Sequence, residues 1–137
     1  MENFETNYRK GNRILLAGKS VCKQWFISGA DYGKQVARSF QLLGDQSSEY
    51  TIQCLSGYTT NEAAQIYLKA NPNKKLSIST APLGLLRLLG NFSSKINYGA
   101  HILEALNNYP EKFESELAWN ELGKPEIPLE KYAANQS

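Results

Sequence analysis

Histidine is nearly absent from this chain, cysteine is scarce, and no block of acidic or basic residues occurs anywhere. His101 is the single histidine, Cys22 and Cys54 are the only cysteines, and 15 basic residues stand against 13 acidic ones for a net charge of +2. One imidazole and two distant thiols provide no zinc-ligand spacing. Neither cysteine has a plausible base besides that one histidine, which argues against thiol catalysis. His101 sits beside Ile102 on a helical stretch and reads as a surface or core-edge residue. The scattered charge lacks the basic stripe with interleaved aromatics that marks a nucleic-acid binder. Its densest basic spot, Asn73-Lys74-Lys75, reads as a solvated turn. There is no run of about 18 apolar residues, so no transmembrane helix is expected. The stretch from Leu83 to Leu89 is too short and is interrupted by Gly84 and Arg87. The first ten residues are polar and mixed in charge, unlike a signal peptide. Two cysteines next to predicted strands are most economically free buried thiols, which places the protein in the cytoplasm.

Catalytic and cofactor motifs are missing too. No Gly-x-Gly-x-x-Gly follows a strand, so the backbone has no turn with which to approach a dinucleotide pyrophosphate. No Gly-x-Ser-x-Gly elbow occurs among the serines. No helical stretch carries a tyrosine followed three residues later by lysine. Gly18-Lys19-Ser20 ends like a phosphate-binding loop, but the glycine required five positions earlier is Arg13, and Ile14-Leu15-Leu16 fills the loop that should wrap the phosphates. Glu114, Glu116 and Glu121 read as a solvated helix face. No catalytic, cofactor-binding or metal-binding residue emerges.

What is present is a strand–cap–helix device, used twice. Trp25-Phe26-Ile27 has the composition of a buried strand. Ser28 then precedes Asp31 by three positions, which lets its hydroxyl cap a helix whose positive end Asp31 complements. Tyr32, Val36, Phe40 and Leu43 repeat at helical spacing, and Gly44 supplies the stop. Downstream, Glu49 to Leu55 alternates, with Tyr50, Ile52 and Cys54 on one face and Thr51 and Gln53 on the other. After the Ser56-Gly57-Tyr58 bend, Thr59 (with Thr60 as its rival) caps a second helix, and Glu62 completes a capping box. Ala63, Ile66, Tyr67 and Ala70 form its apolar side, and Asn71-Pro72 ends it.

Before these, Arg13 to Ala17 reads as a short strand. After them, Lys75 to Thr80 alternates as another, with Leu76 and Ile78 inward. Pro82 is placed to open a helix at its first position. That helix, with Leu83, Leu85, Leu86, Leu88 and Leu89, is apolar nearly all round and should be buried or meet a partner. Phe92, Ile96, Ala100, Leu103 and Leu106 continue at helical spacing to about residue 108. Helices over Phe113–Leu122 and Leu129–Tyr132 follow. The expected fold is α/β: a small sheet of about three to four strands in β-β-α-β-α-β order, then a helical C-terminal layer. At 137 residues the chain reads as one domain, long enough to bury roughly two thirds of its unfolded surface. Its parts are a loose lead-in over 1–10, strand–helix repeats over 11–80, a helical layer over 81–132 and a frayed tail over 133–137.

Three stretches carry a family resemblance: Gly-Asn-Arg-Ile-Leu-Leu-Ala-Gly over 11–18, Gln-Trp-Phe-Ile-Ser-Gly-Ala-Asp-Tyr-Gly-Lys-Gln-Val-Ala over 24–37, and Tyr-Thr-Ile-Gln-Cys-Leu-Ser-Gly-Tyr-Thr-Thr-Asn-Glu-Ala-Ala over 50–64. In order and spacing they resemble the C-terminal portion of an extended short-chain dehydrogenase/reductase, of the NmrA-like and nucleoside-sugar epimerase kind. Gly29, Gly33 and Cys54 depart from the family pattern. The resemblance implies a substrate-binding lobe, with NAD(P) and a catalytic tyrosine and lysine carried by a Rossmann half. It implies no cofactor in this chain itself, and as partners a Rossmann-domain chain or a second copy, with a small-molecule ligand. By position, Trp25, Ser28, Leu55 and Tyr58 lie nearest a pocket, although the simpler reading of Trp25 and Phe26 is core. A lobe made to lie against a Rossmann domain exposes an apolar face when alone, which makes Leu83, Leu86 and Leu89 the candidate interface. The alternative is a free-standing, non-catalytic ligand-binding or dimeric interaction module.

Overall fold

A computed structural model describes Met1 and residues 8–42 and 47–135. It is a mixed α/β structure whose described residues form a three-stranded sheet and six α-helices. β1 (Arg9–Lys10) and β2 (Arg13–Ala17) pair antiparallel, Lys10 opposite Arg13, around a two-residue loop. Gly11 opens that loop at φ +58°, a conformation that two-residue hairpins require and glycine adopts without strain. The lead-in is therefore ordered at Arg9–Lys10, and Met1 belongs to the core at 7% exposure; Phe4 lies outside the described residues.

β2 also pairs with β3 (Ser77–Ala81), in parallel and in register from Arg13↔Ser77 to Ala17↔Ala81. A parallel pair needs a crossover, and here it contains α1 (Gly29–Gln41) and α2 (Thr60–Ala70). Ile14 and Leu16 point into the core against Ala63, Ala64, Tyr67, Leu129 and Ala133 of α2 and the C-terminal helix.

α2 forms as its sequence dictates. The Thr59 hydroxyl accepts from the Glu62 N–H at 3.2 Å, and the Glu62 carboxylate accepts from the Thr59 N–H at 2.8 Å. Bonds to its charged form hold the Glu62 carboxyl below the usual range. The reciprocal cap therefore stabilises the fold above the unfolded carboxyl's pKa, and this contribution is lost as pH falls through the lowered folded value. Thr59→Ala is expected to cost about 1 kcal/mol at neutral pH and to flatten the acid limb of stability, both measurable by urea unfolding at pH 3 and pH 7.

Two expected strands do not form. Trp25 to Ile27 joins no ladder; the one bridge here joins Gln24 to Tyr58. Trp25 N–H donates to the Glu111 carboxylate at 3.0 Å, and Ile27 C=O accepts from the Met1 amino group at 2.6 Å. Glu49 to Leu55 likewise has no strand partner. Its carbonyls at Thr51 and Gln53 accept from the Ser115 hydroxyl and the Trp119 indole N–H. Gln53, which alternation sets on the face opposite Tyr50, Ile52 and Cys54, is 1% exposed. Its Nε2 donates to Glu111 and to Lys112 C=O, and its Oε1 accepts from Glu114 N–H and the Ser115 hydroxyl. Buried backbone and amide groups must find partners, and here a distant segment supplies them through side chains. The helix expected over Phe113–Leu122 accordingly starts late, as α5 (Glu116–Leu122).

α1 is capped as expected: the Ser28 hydroxyl accepts from Asp31 N–H at 3.1 Å. Its orientation is not as expected. Asp31 and Gln35 are buried, whereas Tyr32 and Phe40 are 50% and 66% exposed; Leu43 and Gly44 lie outside the described residues. The residues just before α6 (Leu129–Asn135) have backbone groups to satisfy. Asp31 accepts from Ile127 N–H at 2.9 Å, and Gln35 donates to Gly123 C=O at 2.6 Å. The polar edge of α1 therefore turns inward. α6 itself runs past Tyr132, with Ala133 fully buried where a frayed tail was expected.

Candidate functional site: an apolar cleft on the second face of the sheet

Ile14-Leu15-Leu16 is apolar on both sides, the pattern of a parallel strand covered on both faces. The core covers Ile14 and Leu16. Leu15 and its register partner Ser79 point the other way, toward α3 (Leu83–Gly90) and α4 (Ser94–Asn108). These two helices pack on each other, joined at Gly90, where an added Cβ would meet Asn97 Cα at 3.0 Å. Arg87 and Glu104 make an ion pair between them.

Between this helical pair and the sheet lies a cleft of about 680 Å³. Leu15, Ser79, Ala17 and Ala81 are its floor, Leu86 and the Tyr98–Gly99–Ile102–Leu103–Leu106 side of α4 are its walls, and Tyr8 lines it as well. Its floor comes from the carboxyl-terminal residues of β2 and β3, the end of the strands at which open α/β sheets bind ligands. The α4 wall is pinned by buried Asn107, whose Nδ2 donates to Ala17 C=O at 2.7 Å, and by Gln24, whose amide reaches Leu106 C=O at 3.1 Å. Gly18 allows this approach. It sits at φ +66°, and a Cβ there would meet Leu83 at 2.8 Å and Asn107 at 3.1 Å. The Gly18-Lys19-Ser20 turn thus has a packing role, and no helix follows it before Gly29 to aim N–H groups at phosphate. Among the described residues the titratable lining groups are Tyr8 and Tyr98, and burial pushes the Tyr8 hydroxyl pKa up.

The residues singled out by sequence are dispersed. Trp25 lies against Gly57, where a Cβ would be 2.9 Å from its ring, and 6.1 Å from the Phe113 ring. Tyr58, beside it through the Gln24–Tyr58 bridge, donates to Glu130 at 2.9 Å and borders a depression of about 430 Å³ on α2. Burial first, and the Glu130 bond second, raise its pKa. Ser28 is 1% exposed and spent on the α1 cap; Leu55 is 43% exposed. None of the four lines the large cleft. Of the leucines, Leu86 lines it, Leu83 packs on Gly18 and Leu89 is 43% exposed. The α3 helix is therefore less covered than its composition implies. Pro82 occupies its N-cap rather than its first turn. His101 is exposed with Nδ1 2.8 Å from Asn97 C=O, and Cys22 and Cys54 are free and buried. Among the described residues no helix is long and apolar enough to cross a membrane.

The strands, crossover and helical layer define a mixed α/β lobe with a cleft at the carboxyl ends of its parallel pair. No known family pattern and no curated protein matches the sequence. Among solved structures, its fold is similar to that of the Citrobacter sp. triphenylmethane reductase complexed with NADP(H), with a TM-score of 0.64 and 17% identity. The match covers 96% of this chain and 46% of the reductase chain, so the present chain spans less than half of that protein. At this identity the likeness is one of fold.

Proposed function

We propose that these residues are the substrate-binding lobe of an NAD(P)-dependent reductase or epimerase of the extended short-chain dehydrogenase/reductase, NmrA-like type. The dinucleotide and the catalytic tyrosine and lysine then belong to a Rossmann half outside these 137 residues. The observation that carries the reading is the coverage: nearly all of this chain matches less than half of an NADP(H)-complexed reductase. The three sequence stretches over 11–64 support it independently. The residues at hand do not fit a dinucleotide, because the chain has no Gly-x-Gly-x-x-Gly and its one Gly-Lys-Ser turn is used for packing. The lobe's share of the work is to hold substrate on the floor of Leu15 and Ser79 and to exclude water with α4.

A second reading, a free-standing ligand-binding or dimeric module of the cytoplasm, is favoured by one observation. The layer formed by α3, α4 and the link between them leaves Leu85, Leu88, Leu89, Phe92 and Tyr98 exposed, apolar surface of the kind a partner covers. Isothermal titration of the purified chain with NADPH and with NAD, together with its mass by light scattering, tests both. No dinucleotide binding is expected. Stoichiometric binding would overturn the first reading, and a defined dimer that binds neither nucleotide favours the second.

A further inference from the structure

We infer that the cleft takes a neutral, ring-containing molecule bearing one hydrogen-bonding oxygen, and discriminates against anionic substrates such as nucleotides and sugar phosphates. This deepens the proposed function, since it names the substrate class of the same lobe, but it rests on the cleft alone.

Its volume of about 680 Å³ lies in the middle of the range for small-molecule sites, which are mostly apolar with a few placed polar groups. The lining fits that description and goes further, since among the described residues no lysine, arginine, aspartate or glutamate contributes to it. An anion would lose its hydration against leucine and isoleucine with no cation to replace it. A neutral ring system loses little and gains contact with Leu15, Leu86, Ile102 and Leu103. On the floor, the Ser79 side chain is turned toward the cleft by its register with Leu15. Its hydroxyl bonds to no other described residue, so it is available to a ligand carbonyl or hydroxyl. Gly99 lies in the wall facing this space, and an added Cβ would meet nothing within 4 Å.

Gly99 supplies the test. Gly99→Leu places a side chain in the cleft at a helical position where leucine is favoured over glycine, so the variant keeps its fold while losing the site. The probe is prodan, a neutral naphthalene ketone, followed by fluorescence; 8-anilino-1-naphthalenesulfonate is its anionic counterpart. Saturable 1:1 prodan binding is expected, at least tenfold tighter than the anionic probe, falling at least tenfold in Gly99→Leu and about three- to tenfold in Ser79→Ala. Equal binding to Gly99→Leu, or equal affinity for the anion, would overturn the inference. So would a dimer by light scattering whose dissociation is needed before prodan binds, because the occupant would then be a second copy. None of these results depends on the NADPH titration, so this inference and the parent reading fail separately.

Discussion

Gln53→Leu is expected to lower stability by about 3 kcal/mol, because it keeps the volume of a buried side chain and removes every hydrogen bond that the side-chain amide makes. Gln53 is 1% exposed. Its amide satisfies the Glu111 carboxylate, Lys112 C=O, Glu114 N–H and the Ser115 hydroxyl. A buried polar group left without its partner costs about 1–3 kcal/mol; several of these partners are only partly buried and recover part of the loss from water. For a domain of this size the drop in Tm is expected to be about 10 °C, read by calorimetry. The effect should extend to the cleft. The clasped segment begins just beyond α4, and Glu111 also holds Trp25 N–H, next to the Gln24 that anchors Leu106. Weaker prodan binding should accompany the lower Tm. A loss below about 1 kcal/mol would mean that the 49–55 stretch is held by something other than this clasp.

The second large effect separates the two faces of β2. Ile14 is fully buried among Ala63, Ala64 and Tyr67, whereas Leu15, the next residue, is 42% exposed on the cleft floor. Ile14→Ala is expected to cost about 3 kcal/mol through lost burial and the cavity left behind. Leu15→Ala is expected to cost less than about 1 kcal/mol, since half of its surface is already in water, but to weaken prodan binding severalfold. Urea unfolding and fluorescence titration on both variants check the contrast. Equal stability losses would mean that the cleft face is as tightly packed as the core, leaving no room for a ligand.

Local chemistry was readable from the chain itself. The Thr59–Glu62 capping box, the Ser28 cap, the stop at Asn71-Pro72 and the helix ending before Tyr109-Pro110 all rest on neighbours within a few positions, and all are in place. What could not be read is the choice of distant partner. The alternation of Glu49 to Leu55 is compatible with a strand, but the groups that satisfy it lie about 60 residues away, in a segment expected to be helical. The repeat of Tyr32, Val36 and Phe40 defines a stripe on α1 without saying which side the protein covers. The demand of the 123–127 backbone for partners turned Asp31 and Gln35 inward instead. The cleft did leave one trace. An apolar triplet at Ile14-Leu15-Leu16 means that both faces of a strand need cover, and Leu86, Leu103 and Leu106 were already marked as apolar. Ser79 left none, because a serine in a strand has no pattern of its own.

We propose that this chain builds the substrate side of a reductase-like fold and no dinucleotide side. Amide chemical shifts of the ¹⁵N-labelled chain, recorded on addition of prodan and separately of NADPH, test it most directly. The account predicts that prodan moves the amides of Leu15, Ser79, Gly99 and Leu103, and that NADPH moves none. Saturable shifts with NADPH at Gly18, Lys19 and Ser20, or at the cleft residues themselves, would contradict it.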